Sequence, residues 1–186
     1  MGLLRISLGL ALGLAVAGLA QARLVEQQFD LPVRVADAYG KVFEQPIKVT
    51  VFLDDARPAP RPLLLLNHGR AAEATERARM GRARYSDASR WLAAQGFVVA
   101  VPTRIGYGIS GGEDLEYTGA CNAKRYEPGY AVAVEQSLAV LQAMRARPDV
   151  QPDRTVVMGQ SFGGVVAVAL AAQAPAGVVA AINFAG

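Results

Sequence analysis

Five residues, Gly159-Gln160-Ser161-Phe162-Gly163, constrain the fold of this chain more than any other feature. An apolar run, Thr155-Val156-Val157-Met158, leads into them, and an alanine-rich run from Val165 to Gln173 leads out. The β-branched residues of the first run suit a buried parallel strand, and the second run has the content of a helix packed on a sheet. Strand, turn and helix in that order read as a nucleophile elbow, in which a Ser at the apex is held in a strained backbone conformation with its hydroxyl exposed. Gly159 and Gly163 are then steric requirements, because a side chain two residues before or after the Ser collides with backbone in so tight a turn. In a chain with 19 Gly the five-residue pattern alone arises easily by chance. Its context makes Ser161 the candidate nucleophile and Phe162, the next residue, the owner of the first helical N–H.

A hydroxyl is a poor nucleophile until a base removes its proton. The chain has a single His, His68, which lies before Ser161, and no His, Asp, Glu, Lys or Arg follows Ser161. His68 ends the apolar run Pro62-Leu63-Leu64-Leu65-Leu66-Asn67 and precedes Gly69-Arg70, so it sits where a buried strand opens into a loop. On the residues alone it is a loop-shaping hydrogen-bonding group, a core histidine or a general base. It is not a metal ligand, since one His and one Cys without ligand spacing build no site. Neither a metal nor a cofactor is expected.

The rest of the chain supplies a scaffold. Phe29 to Val35 and Ile47 to Leu53 alternate apolar and polar residues as antiparallel edge strands do, with Asp37-Ala38-Tyr39-Gly40 as the turn between them. The proline-bearing stretch Asp54 to Pro62 reads as a loop, Leu63 to Asn67 as a buried strand and Ser86 to Gln95 as a helix stopped by Gly96. Phe97 to Val101 reads as a strand, Tyr130 to Arg147 as an amphipathic helix closed by Pro148, and the last residues as a further strand. Strands alternating with helices of this length imply a mostly parallel sheet covered on both faces, an α/β fold. No repeat, low-complexity segment or interdomain linker interrupts it.

Taken together, Asn67-His68-Gly69, the stretch Pro102-Thr103-Arg104-Ile105-Gly106-Tyr107-Gly108-Ile109-Ser110-Gly111-Gly112 and Gly159 to Gly164 resemble the α/β-hydrolase superfamily. Within it they are similar to the dienelactone-hydrolase-like and prolyl-oligopeptidase-like exported serine hydrolases, from about Leu31 to the last residue. The resemblance implies hydrolysis of a small-molecule ester, lactone or amide by Ser161, with oxyanion donors from the backbone N–H groups of Phe162 and Arg70. It also implies that His68 and Gly69 shape the oxyanion loop. In that family the acid and His follow the nucleophile, and this sequence departs from the pattern in lacking both. The chain is therefore expected to be the N-terminal part of a single α/β-hydrolase domain, its sheet ending near the strand after the elbow helix, and to be inactive by itself. A peptidase of the same fold is the alternative. From another class come a non-catalytic exported binding module and an inactive truncated remnant.

Composition supports a packed domain, with 52% hydrophobic and 19% charged residues. Residues 1–22 read as a secretory signal: Arg5, an uncharged apolar stretch from Ile6 to Leu19, then Ala20-Gln21-Ala22 with small residues where a signal peptidase inspects the chain. The apolar run is too short for a membrane span, so residues 23–186 are expected as an exported, periplasmic or secreted product without a stable anchor. Export makes the lone Cys121 a candidate for pairing with a thiol elsewhere, or a free thiol. The net charge of +3 does not argue for nucleic acid, because Glu73, Glu76 and Asp87 interrupt the cluster Arg70, Arg77, Arg79, Arg82, Arg84 and Arg90, and no aromatic ladder accompanies it. The expectation for those arginines is a solvated loop and helix face, and the sharper alternative is that some hold an acidic group on the substrate. Gly106 to Gly111 matches the dinucleotide pattern G-x-G-x-x-G but is followed by an acidic, glycine-bearing stretch, so a substrate-side loop is expected there instead.

Overall fold

The computed structural model describes residues 23–37 and 39–186. The signal-segment reading of residues 1–22 and Ala38 of the first turn lie outside the described residues. Six strands form one sheet in the order β1-β2-β4-β3-β5-β6. They are β1 (Leu24–Ala36), β2 (Val42–Asp54), β3 (Arg61–Asn67), β4 (Val98–Thr103), β5 (Val150–Gln160) and β6 (Val178–Phe184). The helices are α1 (Ala74–Arg79), α2 (Ser86–Ala94), α3 (Glu127–Arg145) and α4 (Phe162–Ala172). Pairing is antiparallel for β1 with β2 and for β2 with β4, and parallel for β3 with β4, β3 with β5 and β5 with β6. The sheet is thus mixed and mostly parallel, with helices on both faces, as the alternation of apolar runs implies.

Period-two geometry divides the central strands between the two layers. Leu63 and Leu65 of β3 and Val98 and Ala100 of β4 pack with Val132, Val140, Leu141 and Met144 of α3 and Val166 and Leu170 of α4. Leu64, Leu66, Val99 and Val101 point the other way, toward Phe52, Ala83 and Ala93. A side chain buried this fully contributes about 1.5–3 kcal/mol of transfer free energy, which explains why a run of four leucines with no polar break makes a strand here.

β2 is not an edge strand as its alternation suggested. It lies between β1 and β4, so Val49 to Asp54 are buried in succession. β5 begins earlier than its apolar run, at Val150. The register with β3 slips between Arg61 and Leu63, and Pro152 falls in that irregular stretch, where a missing N–H costs no ladder bond. α1 and a single 3₁₀ turn at Gly108–Ser110 were not legible. α1 buries none of its residues and so carries no apolar periodicity.

Candidate active site

Strand ends build the site. Asn67, the last residue of β3, stands beside Gly159 of β5 in register, so the chain leaving β3 runs next to the turn leaving β5. Sites of open α/β sheets form at such carboxyl ends. Ser161 has φ 51° and ψ −127°, a region that non-glycine residues enter only under constraint. It is exposed, and Phe162 opens α4 immediately after it, so the Phe162 N–H has no intrahelical acceptor.

Gly159 and Gly163 are fixed by contact rather than by φ. A Cβ on Gly159 would lie 2.0 Å from the Gly163 carbonyl oxygen, within the elbow itself. A Cβ on Gly163 would lie 2.3 Å and 2.5 Å from the carbonyl oxygens of Asn67 and His68. The second glycine therefore lets the elbow approach the end of β3. Gly69 faces the elbow from the other side, where an added Cβ would sit 3.5 Å from the Ser161 Cβ, in ordinary contact.

His68 is buried, and both ring nitrogens are engaged. Nδ1 lies 2.7 Å from the Gly69 carbonyl oxygen and Nε2 lies 3.1 Å from the Arg104 backbone nitrogen. A backbone N–H only donates, so Nε2 accepts and Nδ1 carries the proton. The ring also meets Tyr107 edge-on at 4.6 Å. Burial above all, and then the Arg104 charge, hold the imidazole well below its usual value, against the opposing bond to Gly69. This geometry suits a neutral strut of the loop and leaves no nitrogen to take a proton from Ser161.

That low value has a consequence for stability. Below about pH 6.5 the unfolded chain binds a proton at His68 that the native protein does not, so stability is complete above that pH and declines as pH falls toward the depressed native value, by at most about 1.4 kcal/mol per pH unit. Urea unfolding at pH 7.5 and 5.5 is expected to show a loss for the wild type that exceeds the loss for His68→Gln by about 1 kcal/mol. An equal loss in both proteins would contradict the assignment.

Beneath the loop lies a charged network that sequence reasoning did not anticipate. Arg104 and Glu116 are both fully buried and paired, Nε to Oε1 and, at 3.2 Å, Nη2 to Oε2. Tyr107 Oη donates to Glu116 Oε2 at 2.7 Å. Burial lowers the guanidinium pKa, but the paired carboxylate more than offsets it and the net direction is upward. Burial first, then Glu116, raises the Tyr107 hydroxyl. The one available sequence signal was a charged residue, Arg104, three positions after the apolar run Phe97 to Val101.

Arg70 borders the Ser161 cavity, but its side chain is turned inward. Nη2 pairs with Asp114 at 2.7 Å and Nε donates to the Glu116 carbonyl oxygen at 3.0 Å. Arg77 meets the same Asp114 carboxylate at 3.2 Å. Arg82, Arg84 and Arg90 converge on Glu26. The cluster is thus largely neutralised within the fold, which counts against Arg70 and Arg77 as holders of a substrate carboxylate. The loop Gly106 to Gly112 does not line the cavity either. Gly108 packs so closely that a Cβ would fall 1.7 Å from the Gly81 carbonyl oxygen, and the loop props the network through Tyr107.

The Ser161 cavity holds about 360 Å3 and is bordered by Arg70, Lys124, Tyr126, Tyr130, Phe162 and Val165 among others. Tyr126 stacks on Tyr130 at 6.1 Å, and Tyr130 meets Phe162 at 4.8 Å, giving an aromatic wall that runs from the elbow. A larger hollow of about 460 Å3, rimmed by Asp37, Glu113 and Asp114, does not include Ser161, so size alone does not locate the site. Among the described residues no cluster of His, Cys, Asp and Glu could hold a metal ion, and no helix is long and apolar enough to cross a membrane. Cys121 is exposed and free among the described residues.

A parallel-sheet strand, an elbow with Ser at its apex and a loop folded against it define the class as α/β-hydrolase. The serine aminopeptidase S33 profile matches residues 58–186, and the chain belongs to that family. No curated protein sequence matches it. Three solved structures are similar in fold. A Klebsiella pneumoniae subsp. pneumoniae protein assigned to the dienelactone hydrolases gives a TM-score of 0.54 at 14% identity, over 81% of this chain and 55% of that one. A dienelactone-hydrolase-like promiscuous phosphotriesterase from metagenomic libraries gives 0.53 at 18%, over 87% and 58%. An acetyl xylan esterase from Paenibacillus sp. R4 gives 0.53 at 20%, over 81% and 48%. The chain thus spans between 48% and 58% of the length of these structures.

Proposed function

We propose that this chain carries the nucleophile and oxyanion-binding half of a serine hydrolase acting on small-molecule esters or lactones. The observation that carries the reading is the strained, exposed Ser161 at the head of α4 with the Gly69–Arg70 loop packed against it. Ser161 Oγ attacks the acyl carbon while a base removes its proton. The carbonyl oxygen gains negative charge and is held by the N–H groups of Phe162 and Arg70. Collapse of the tetrahedral intermediate expels the alcohol, and water then releases the acid by the same route. Arg70 is favoured over Gly69 as the second donor, because the Gly69 N–H is directed to Tyr85 Oη at 3.4 Å whereas the Arg70 N–H has no acceptor among the described residues.

With both His68 nitrogens engaged, the base and its acid partner are proposed to come from sequence outside residues 1–186. Protein comprising only these residues is then expected to show negligible turnover of a p-nitrophenyl ester. Robust Ser161-dependent hydrolysis by it would sink the argument. The proposed location is outside the cytoplasm, after cleavage behind Ala22. Mass spectrometry of the mature N-terminus is expected to find Arg23 first, and an intact Met1 on a membrane-retained product would reverse that reading.

The family description favours a second reading, aminopeptidase action. A substrate with a free α-ammonium group needs an anionic partner near the scissile bond. Among the described residues, those bordering the Ser161 cavity include Arg70 and Lys124 and no Asp or Glu side chain, which favours the ester. A faster reaction with an aminoacyl p-nitroanilide than with a p-nitrophenyl ester would favour the peptidase.

A further inference from the structure

We infer that the buried Arg104–Glu116 pair is a positioning device that aims the Arg70 N–H into the Ser161 cavity, an inference that rests on the reading of Ser161 as nucleophile. In a trans peptide the carbonyl and the following N–H point in opposite directions, and the Gly69–Arg70 bond is trans. The Gly69 carbonyl oxygen receives His68 Nδ1 at 2.7 Å and Arg104 Nη2 at 3.4 Å. The Arg70 N–H is therefore directed away from the guanidinium, and Arg70 borders the cavity that contains Ser161. The preceding peptide is held the same way. Its carbonyl, on His68, receives Arg104 Nη1 at 2.9 Å, and its N–H, on Gly69, faces Tyr85 Oη, which itself donates to Gln160 Oε1 at 3.1 Å. Two successive carbonyls converge on one guanidinium, and one N–H is thereby left for an oxyanion.

Only a planar, multi-donor cation can do this while also pairing with a carboxylate. The pairing is what permits a charge at full burial, because an unpaired guanidinium there would face the whole desolvation penalty. Glu116 is fixed in turn by Tyr107 Oη on one side and by α3 on the other, where a Cβ on Gly129 would lie 3.0 Å from the Glu116 carbonyl oxygen. The same carbonyl receives Arg70 Nε, so the residue that presents the N–H is anchored at its side chain to the element that anchors the guanidinium. The cation thus acts on the backbone of the loop and touches no reacting atom. Arg104 and Glu116 are positioning residues.

The test compares Arg104→Lys with the wild type in protein extended past residue 186 so that it carries its base. Lys keeps the charge and loses the fork. The expected result is a crystal structure in which the Gly69–Arg70 peptide has rotated or become heterogeneous, and a kcat per titrated active site lowered about tenfold with KM within twofold. That loss is less than the roughly 10²–10³ found when an oxyanion donor is deleted outright. A core variant on the opposite face, Val99→Ala, controls for general destabilisation and is expected to keep the wild-type kcat per titrated site. A folded Arg104→Lys protein with the peptide in its original orientation would overturn the inference whatever its turnover. So would a rotated peptide with turnover per site within twofold of wild type. If Arg104→Lys does not fold, the same two measurements on Glu116→Gln decide, with a kcat loss of roughly threefold or more expected. Activity surviving Ser161→Ala would instead refute the nucleophile, while the crystallographic arm still reads the peptide's orientation.

Discussion

Ser161→Ala, made in protein extended past residue 186, is expected to abolish labelling by an active-site fluorophosphonate and to lower ester turnover by roughly 10⁴-fold or more. The argument concerns activation, since other serines carry the same hydroxyl. Three of these hydroxyls are committed to the fold. Ser137 Oγ lies 2.7 Å from Asn67 Oδ1 and 2.8 Å from the Ala133 carbonyl, with one proton shared between these acceptors, while Ser89 Oγ donates to the Arg84 carbonyl and Ser110 Oγ to the Thr103 carbonyl. Ser161 alone among these stands at a helix N-terminus on a strained turn, beside an N–H without an acceptor. Nucleophile and oxyanion donors must meet at one acyl carbon for labelling to proceed. Mass spectrometry of the labelled peptide checks the assignment, and modification of Ser110 with Ser161→Ala fully active would overturn it.

How far the sequence anticipated this site depends on whether a residue's role is local or tertiary. The elbow is a local device: its strand, apex and helix are contiguous, and the steric need for Gly at 159 acts between residues four apart. The sheet was legible for the same reason, because runs such as Leu63 to Leu66 bury both faces. Arg104 and Glu116 were not legible, since a buried charge declares itself only through a partner twelve residues away across a loop. Tyr85 was missed because its hydroxyl bridges Gly69 and Gln160, segments far apart in sequence. The inward pairing of Arg70 and Arg77 was not legible because nothing in composition places Asp114 between them. β2 was misjudged as an edge because alternation in one strand says nothing about which neighbour it gains.

Gly163→Ala is expected to prevent stable folding or to cost more than about 3 kcal/mol, the range of severe overpacking. Gly163 lies in the regular helical part of the elbow and has no left-handed φ, so backbone strain is not the reason. The reason is distance. The added methyl would meet the Asn67 and His68 carbonyl oxygens at 2.3 Å and 2.5 Å, the first on the last residue of β3 and the second on the residue after it, and β3 pairs with both β4 and β5. The two oxygens cannot retreat without parting the centre of the sheet, and the His68 carbonyl is also held by Arg104. Two comparisons isolate the cause. Gly81→Ala adds a methyl in open space at φ +65°, so it carries only the cost of left-handed backbone, about 1–2 kcal/mol. Gly69→Ala meets its neighbours at ordinary contact and should leave the fold intact while crowding Ser161. Urea unfolding of the three variants should therefore rank Gly163→Ala far below Gly81→Ala, and Gly81→Ala below Gly69→Ala. A Gly163→Ala protein as stable as wild type would mean that the elbow does not approach β3 as closely as described, and the oxyanion geometry built on that approach would fall with it.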